Sequence, residues 1–214
     1  VRRSKATARL KHSGTLAQLS ADGAVVTTTD GGSTIPADDL LMVRFTNRDV
    51  TPPPPSSLRV ALTDGSLLPC TSITLASQKA NLGMSGLEEL TISSRSLEAV
   101  RFGNGDGPLG KMWEDLRQRD FDKDAVIIRR GEVLDHLTGV IGDVNDKSVK
   151  FLLDNDEIDI PLARVYGLIF YHRTPRKTRT VCGIALTNGG KLFARSVELA
   201  EDGLKVRPAA GGSL

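Results

Sequence analysis

The amino-acid sequence predicts a mainly β protein, built as a tandem of small antiparallel barrels with one short helix. Three observations lead there. Apolar and polar residues alternate over short runs such as Leu58-Arg59-Val60-Ala61-Leu62 and Ser148-Val149-Lys150-Phe151-Leu152-Leu153, the period-2 pattern of strands with one buried face. Turn formers interrupt these runs at Ala21-Asp22-Gly23, Asp30-Gly31-Gly32, Thr63-Asp64-Gly65, Asp154-Asn155-Asp156 and Asn188-Gly189-Gly190, and such residues tolerate positive φ in tight hairpins. A strand grammar also recurs. Ile35 to Phe45, Leu90 to Phe102 and Ile160 to Phe170 each contain an alternating strand, a short polar break and a closing strand of the form aliphatic-x-Phe. Four or five short strands that curl on themselves lose their exposed edges; SH3-like and Sm-like barrels have this size and strand count.

The elements follow in order. Residues 1–48 form a first barrel-like module, with strands at Thr15–Leu19 and Ala24–Thr29 and a closing strand that ends on Phe45. Residues 49–57 carry Pro52-Pro53-Pro54-Pro55 and are expected to be an extended linker. A second β module spans 58–110. A short helix at 111–122 follows, with Met112, Trp113 and Leu116 on one face; Trp113 is expected to anchor it on a barrel rather than bind a ligand. Residues 123–172 form a third module and 173–180 a basic linker. The last stretch, 181–214, reads as an incomplete module whose strands run out before any closing aliphatic-x-Phe.

Composition narrows the function classes. Lys and Arg total 28 against 26 Asp and Glu, a net charge of +2 over 214 residues, so no strong global field marks a polyanion binder. Two Cys exclude a disulfide framework and three His offer little for a metal centre. No apolar run approaches the roughly 18 residues of a membrane span. The chain opens on Val1-Arg2-Arg3, with neither an initiator Met nor the apolar core of a signal peptide, so an upstream segment is expected to have been removed. Arg2 and Arg3, with Arg173, Arg176, Lys177 and Arg179 of the basic linker, are the candidate polyanion-binding residues. They lack interleaved aromatics, which favours a solvated basic face over a nucleic-acid site.

The remaining motifs are weak. Asp120-Phe121-Asp122-Lys123-Asp124 opens like a calcium loop, but Ala125 stands where Gly belongs and Gly131 where Glu belongs. Phe102-Gly103-Asn104-Gly105-Asp106-Gly107 is glycine-rich without the Gly-Lys-Ser/Thr ending of a phosphate loop. The acids Asp143, Asp146, Asp154, Asp156, Glu157 and Asp159 suit the solvent face of a hairpin better than the paired carboxylates of a glycosidase. Glu132, Asp135 and His136 have no paired nucleophile, and His12 and His172 are scattered. Cys70 and Cys182 read as small buried residues, with a bridge between them the alternative. The residues point away from an enzyme, and neither a cofactor nor a metal is expected.

The phrase from Arg129 through Gly131-Glu132-Val133-Leu134-Asp135-His136-Leu137-Thr138-Gly139-Val140-Ile141-Gly142-Asp143-Val144, continued by Val149-Lys150-Phe151-Leu152-Leu153-Asp154-Asn155-Asp156-Glu157-Ile158-Asp159-Ile160-Pro161-Leu162 and Gly167-Leu168-Ile169-Phe170-Tyr171, resembles a repeat of planctomycete exported proteins. In those proteins Sm-like β segments precede a carbohydrate-binding module known as NPCBM. The resemblance covers most of residues 58–214 and, less closely, the first 48. It implies an exported, bacterial, non-catalytic multidomain protein whose barrels serve as spacer or binding platform, with polysaccharide or another protein as partner. The carbohydrate-binding module itself lies outside this chain, so no sugar-binding residue carries over. Taking the Sm-like character literally gives the alternative of an RNA-binding module, which the near-neutral charge disfavours.

Overall fold

The computed structural model describes residues 10–29, 31–46, 57–173, 179–201, 203–212 and 214. They belong to two compact units: residues 1–48 with 196–205, and residues 49–195 with 206–214. All strand pairings with a resolved register are antiparallel, one α-helix is present among the described residues, and no sheet of theirs is closed.

In the first unit, β1 (Thr15–Ser20), β2 (Gly23–Thr28) and β3 (Gly31–Pro36) form a meander in which β2 is central. A single 3-10 turn, Ala37–Asp39, follows. The expected closing strand at Leu41–Phe45 does not form. No described strand pairs with it, and Leu41, Met42 and Phe45 stand 78%, 75% and 55% exposed. Without a ladder partner, an alternating pattern alone does not make a strand.

The second unit contains two sets of strands with the same order. The first set is β4 (Arg59–Leu62), β5 (Leu67–Pro69), β6 (Ser72–Ala76), β7 (Lys79–Gly83), β8 (Leu90–Ser93), a 3-10 turn at Ser94–Ser96, and β9 (Leu97–Arg101). Helix α1 (Gly107–Arg117) leads to the second set: β10 (Asp124–Arg130), β11 (Val133–Val144), β12 (Ser148–Leu153), β13 (Asp156–Pro161), a 3-10 turn at Leu162–Arg164, and β14 (Val165–Ile169). In each set the opening strand lies between its successor and the closing strand.

The two sets meet along a pseudo-two-fold seam. Val60 pairs with Val100 in the first set, and Val126 with Leu168 in the second, so Val100 and Leu168 are equivalent positions. At the seam these two pair with each other. The same holds farther along: Leu75 pairs with Ala80, Val144 with Val149, and Leu75 then pairs with Val144 across the sets. Even the closing phenylalanines match, since Phe102 N–H donates to the Tyr166 carbonyl (2.9 Å) and Phe170 N–H to the Glu98 carbonyl (3.0 Å). Each half presents to the other the patch it receives, the relation of an isologous dimer within one chain.

Burial explains why the seam strands read as continuous apolar runs. All five residues of β14 are buried. One face of β4, β9, β10 and β14 carries Val60, Val100, Val126 and Leu168, each 0% exposed. The other carries Ala61, Ala99, Ala125, Ile127 and Ile169 and is covered by Trp113 and Leu116 of α1. The helix was expected at 111–122 and instead occupies Gly107–Arg117. Pro108 in its first turn explains the earlier start, and Gly110, Trp113 and Leu116 form the buried stripe while Met112 is only partly covered.

The remaining strands are β15 (Cys182–Ala185), β16 (Lys191–Ala200) and β17 (Gly203–Pro208). The base of β16 extends the second unit's sheet past β5, pairing Lys191 with Leu67, and Phe193 N–H donates to the Ser66 hydroxyl at 2.9 Å. The Ser96 hydroxyl donates to the Ala210 carbonyl, also at 2.9 Å. Residues 191–195 and 206–212 thereby cover an edge of the second unit, the kind of edge that otherwise invites aggregation.

Both thiols are unbridged, Cys70 buried and Cys182 half-buried. Burial pushes the Cys70 thiol up to about 12 from 9.0. The folded state therefore keeps a proton that the unfolded thiol releases above pH 9. Stability is expected to be insensitive to this group below pH 9 and to fall above it by about 1.4 kcal/mol per pH unit. Urea unfolding at pH 8 and pH 10 checks this, because Cys70→Ala should remove that part of the slope. Thiol reagents at pH 8 should modify Cys182 well before Cys70.

Candidate ligand-binding groove

An open depression of the second unit, about 440 Å³, lies at the seam. Leu75 and Ala76 of β6 and Ile141 of β11 contribute apolar surface, while Ser77, Gln78, Arg95, Asp143, Tyr171 and His172 contribute polar groups.

Asp124 positions the second set's share. Its Oδ2 accepts from Ile141 N–H at 3.0 Å and its Oδ1 from Tyr171 N–H at 2.8 Å. One carboxylate thus ties the opening strand to β11 and to the segment after β14. His172 Nε2 lies 2.6 Å from the Leu97 carbonyl and pins that segment further. Between these anchors Tyr171 remains 43% exposed.

The first set contributes a strained turn. Ser77 and Gln78 have φ of 50° and 63°, the left-handed region that glycine or asparagine normally fills in a two-residue hairpin. Ser94 N–H donates to the Gln78 carbonyl at 2.9 Å and holds the turn at the rim. Such strain persists where surrounding contacts over-determine the backbone. Gln78→Gly is expected to raise stability by about 1 kcal/mol, the size of the left-handed penalty, measurable by chemical denaturation.

The groove is not duplicated by the pseudo-symmetry. Positions equivalent to Phe170-Tyr171-His172 are Phe102-Gly103-Asn104, which lead into α1. There the glycines serve close packing. A Cβ on Gly103 would overlap the Tyr166 ring, one on Gly105 the Arg101 guanidinium, and one on Gly110 the Gly105 carbonyl. The Tyr166 hydroxyl donates to the Asn104 carbonyl, and burial raises its phenol. The glycine-rich segment is a packed helix leader.

The other candidate residues form no site among the described residues. Arg2, Arg3, Arg176 and Lys177 lie outside the described residues, as do most of the proline linker and the middle of the basic linker. Arg173 and Arg179 are exposed. Asp143, Asp146, Asp154, Asp156, Glu157 and Asp159 are all exposed on β11, β13 and the turns flanking β12. Lys150 Nζ donates to Glu157 at 3.0 Å, which raises the ammonium above its ordinary value. Asp120 and Asp122 face solvent, while Asp124 is occupied by backbone amides. Among the described residues no group of three or more His, Cys, Asp or Glu is placed to hold a metal ion. His136 packs edge-on against Phe121, with ring centroids 5.4 Å apart. No described helix is long and apolar enough to cross a membrane.

No protein-family model, curated protein or solved structure matches the chain.

Proposed function

We propose that the chain is a non-catalytic β-module region of an exported bacterial multidomain protein, acting as a scaffold and binding platform for polysaccharide. Two lines support the modular part. Each strand set of the second unit has its opening strand beside its closing one and a 3-10 turn before the closing strand, which supports an SH3- or Sm-like reading. We read these sets as two such barrels fused along the seam, and the phrase Arg129 to Tyr171 supports export through its resemblance.

The seam groove carries the binding part. An exposed tyrosine ring beside Gln78, Asp143, Arg95 and His172, over an apolar floor, offers a sugar ring one apolar face and hydrogen-bond partners of both kinds. Asp124 is held by two amides, so its role is to orient Tyr171 and Ile141.

A glycan array followed by titration of the bound polysaccharide tests the reading. Tyr171→Ala is expected to weaken binding at least tenfold, and Arg179→Ala to leave it unchanged. An RNA titration run alongside discriminates the alternative. Affinity for RNA that collapses with salt, with no glycan bound, would overturn the polysaccharide reading.

A further inference from the structure

A second concavity of the second unit, about 310 Å³, lies beside α1. Ala61, Ala99 and Leu67 give it an apolar floor, and Arg59, Arg101, Arg117 and Glu114 line it as well. Arg59 and Arg101 sit directly opposite each other on β4 and β9, which puts two like charges at cross-strand neighbours, a destabilising arrangement. Nothing among the described residues relieves it: no carboxylate lies within ion-pair distance of either side chain. Arg117 differs, because Glu98 (3.6 Å) and Glu114 (3.7 Å) both approach it.

The Arg101 guanidinium packs closely against Gly105, where a Cβ would overlap it. Its Nε is buried and has no hydrogen-bond partner. Buried N–H groups in native proteins are nearly always satisfied, and an oxyanion is the group that accepts from a guanidinium edge in bidentate fashion.

We infer that Arg59 and Arg101 form an oxyanion site, for a carboxylate, phosphate or sulfate group borne on a small organic body that covers the apolar floor. One such group offsets the juxtaposed charges of Arg59 and Arg101. Trp113 is 2% exposed and walls the site without being free to stack. The site is independent of the seam groove and of the polysaccharide reading, since it shares no residue with that groove.

Isothermal titration of the full chain tests it, with acetate, inorganic phosphate, sulfate and glucuronate as probes at matched ionic strength. Saturable one-site binding is expected. Tighter binding of glucuronate than acetate would support the role of the apolar floor, and equal binding would overturn it. Arg59→Met should weaken binding at least tenfold, and in probe-free buffer it should raise Tm by removing a like charge. Arg101→Lys keeps the charge and loses the planar fork, so it too should weaken binding severalfold. Absence of saturable heat with all four probes, or unchanged binding in both variants, would overturn the site whatever the glycan array returns.

Discussion

Gly167→Val is expected to destabilise the second unit by more than about 3 kcal/mol. Gly167 lies on β14 at the seam, paired with Arg101. A Cβ there would overlap the Trp113 ring and stand 2.7 Å from the Val100 carbonyl oxygen. One of these obstacles is a ring locked into the core, and the other is backbone of the neighbouring strand. Neither can yield without lifting α1 or parting β9 from β14. Overpacking in a well-filled core costs about 1–3 kcal/mol and sometimes more, against a total stability of about 5–15 kcal/mol. Alanine at this position should lie near the upper end of the first range, lowering Tm by about 6–12 °C in a unit of this size. Thermal unfolding followed by near-ultraviolet circular dichroism reads both variants. Trp113→Leu should rescue Gly167→Ala only in part, because the Val100 carbonyl remains. A Gly167→Val protein with native Tm would mean that the helix does not sit on β14.

The second large effect concerns separability. Fragments 57–106 and 123–173, expressed apart, are expected to remain unfolded, whereas the intact chain unfolds the two strand sets in one transition. Separation would strip β9 of β14 and expose Val100 and Leu168, both 0% exposed at present. It would also halve the floor beneath α1, whose core partners come from both sets: Ala61 and Ala99 from one, Ala125, Ile127, Tyr166 and Ile169 from the other. Leu168→Ala, which leaves the chain intact, should cost about 2–5 kcal/mol as a buried leucine truncation. It should shift the single transition without splitting it. Dispersed amide spectra from both isolated fragments would show that the seam merely joins two self-sufficient barrels.

Much of the strand content was legible because these strands carry their own signals. β1, β2, β12 and β13 have alternating residues and turns built from Ala21-Asp22-Gly23 or Asp154-Asn155, and the latter two adopt φ of 49° and 74°. The β6–β7 hairpin was harder to read. Its turn is Ser77-Gln78, residues with no intrinsic preference for positive φ, held by the flanking ladder and by the Ser94–Gln78 hydrogen bond. The closing strand at Leu41–Phe45 failed for the opposite reason: its pattern was good and its partner strand was absent among the described residues.

Both candidate sites lay beyond sequence reasoning. Asp124 looked like a fragment of a calcium loop until its two amide partners, 17 and 47 residues away, were in place. Arg59 and Arg101 were ordinary outward positions in alternating strands, and a register is needed to set them opposite one another. Arg101, Trp113 and Tyr166 could each be read as core or surface residues, whereas their mutual approach through Gly103, Gly105 and Gly167 is a property of the assembled unit.

The sequence by itself determined the antiparallel β class, most hairpin positions, a single helix near Trp113 and the recurrence of one strand order, because periodicity and turn chemistry are local. Tertiary structure alone decided that two of those recurrences are one body. That outcome rests on Val100 meeting Leu168 and Leu75 meeting Val144. Each half looks self-contained in one dimension, and only pairing energetics between residues far apart in the chain select the fused, pseudo-symmetric arrangement.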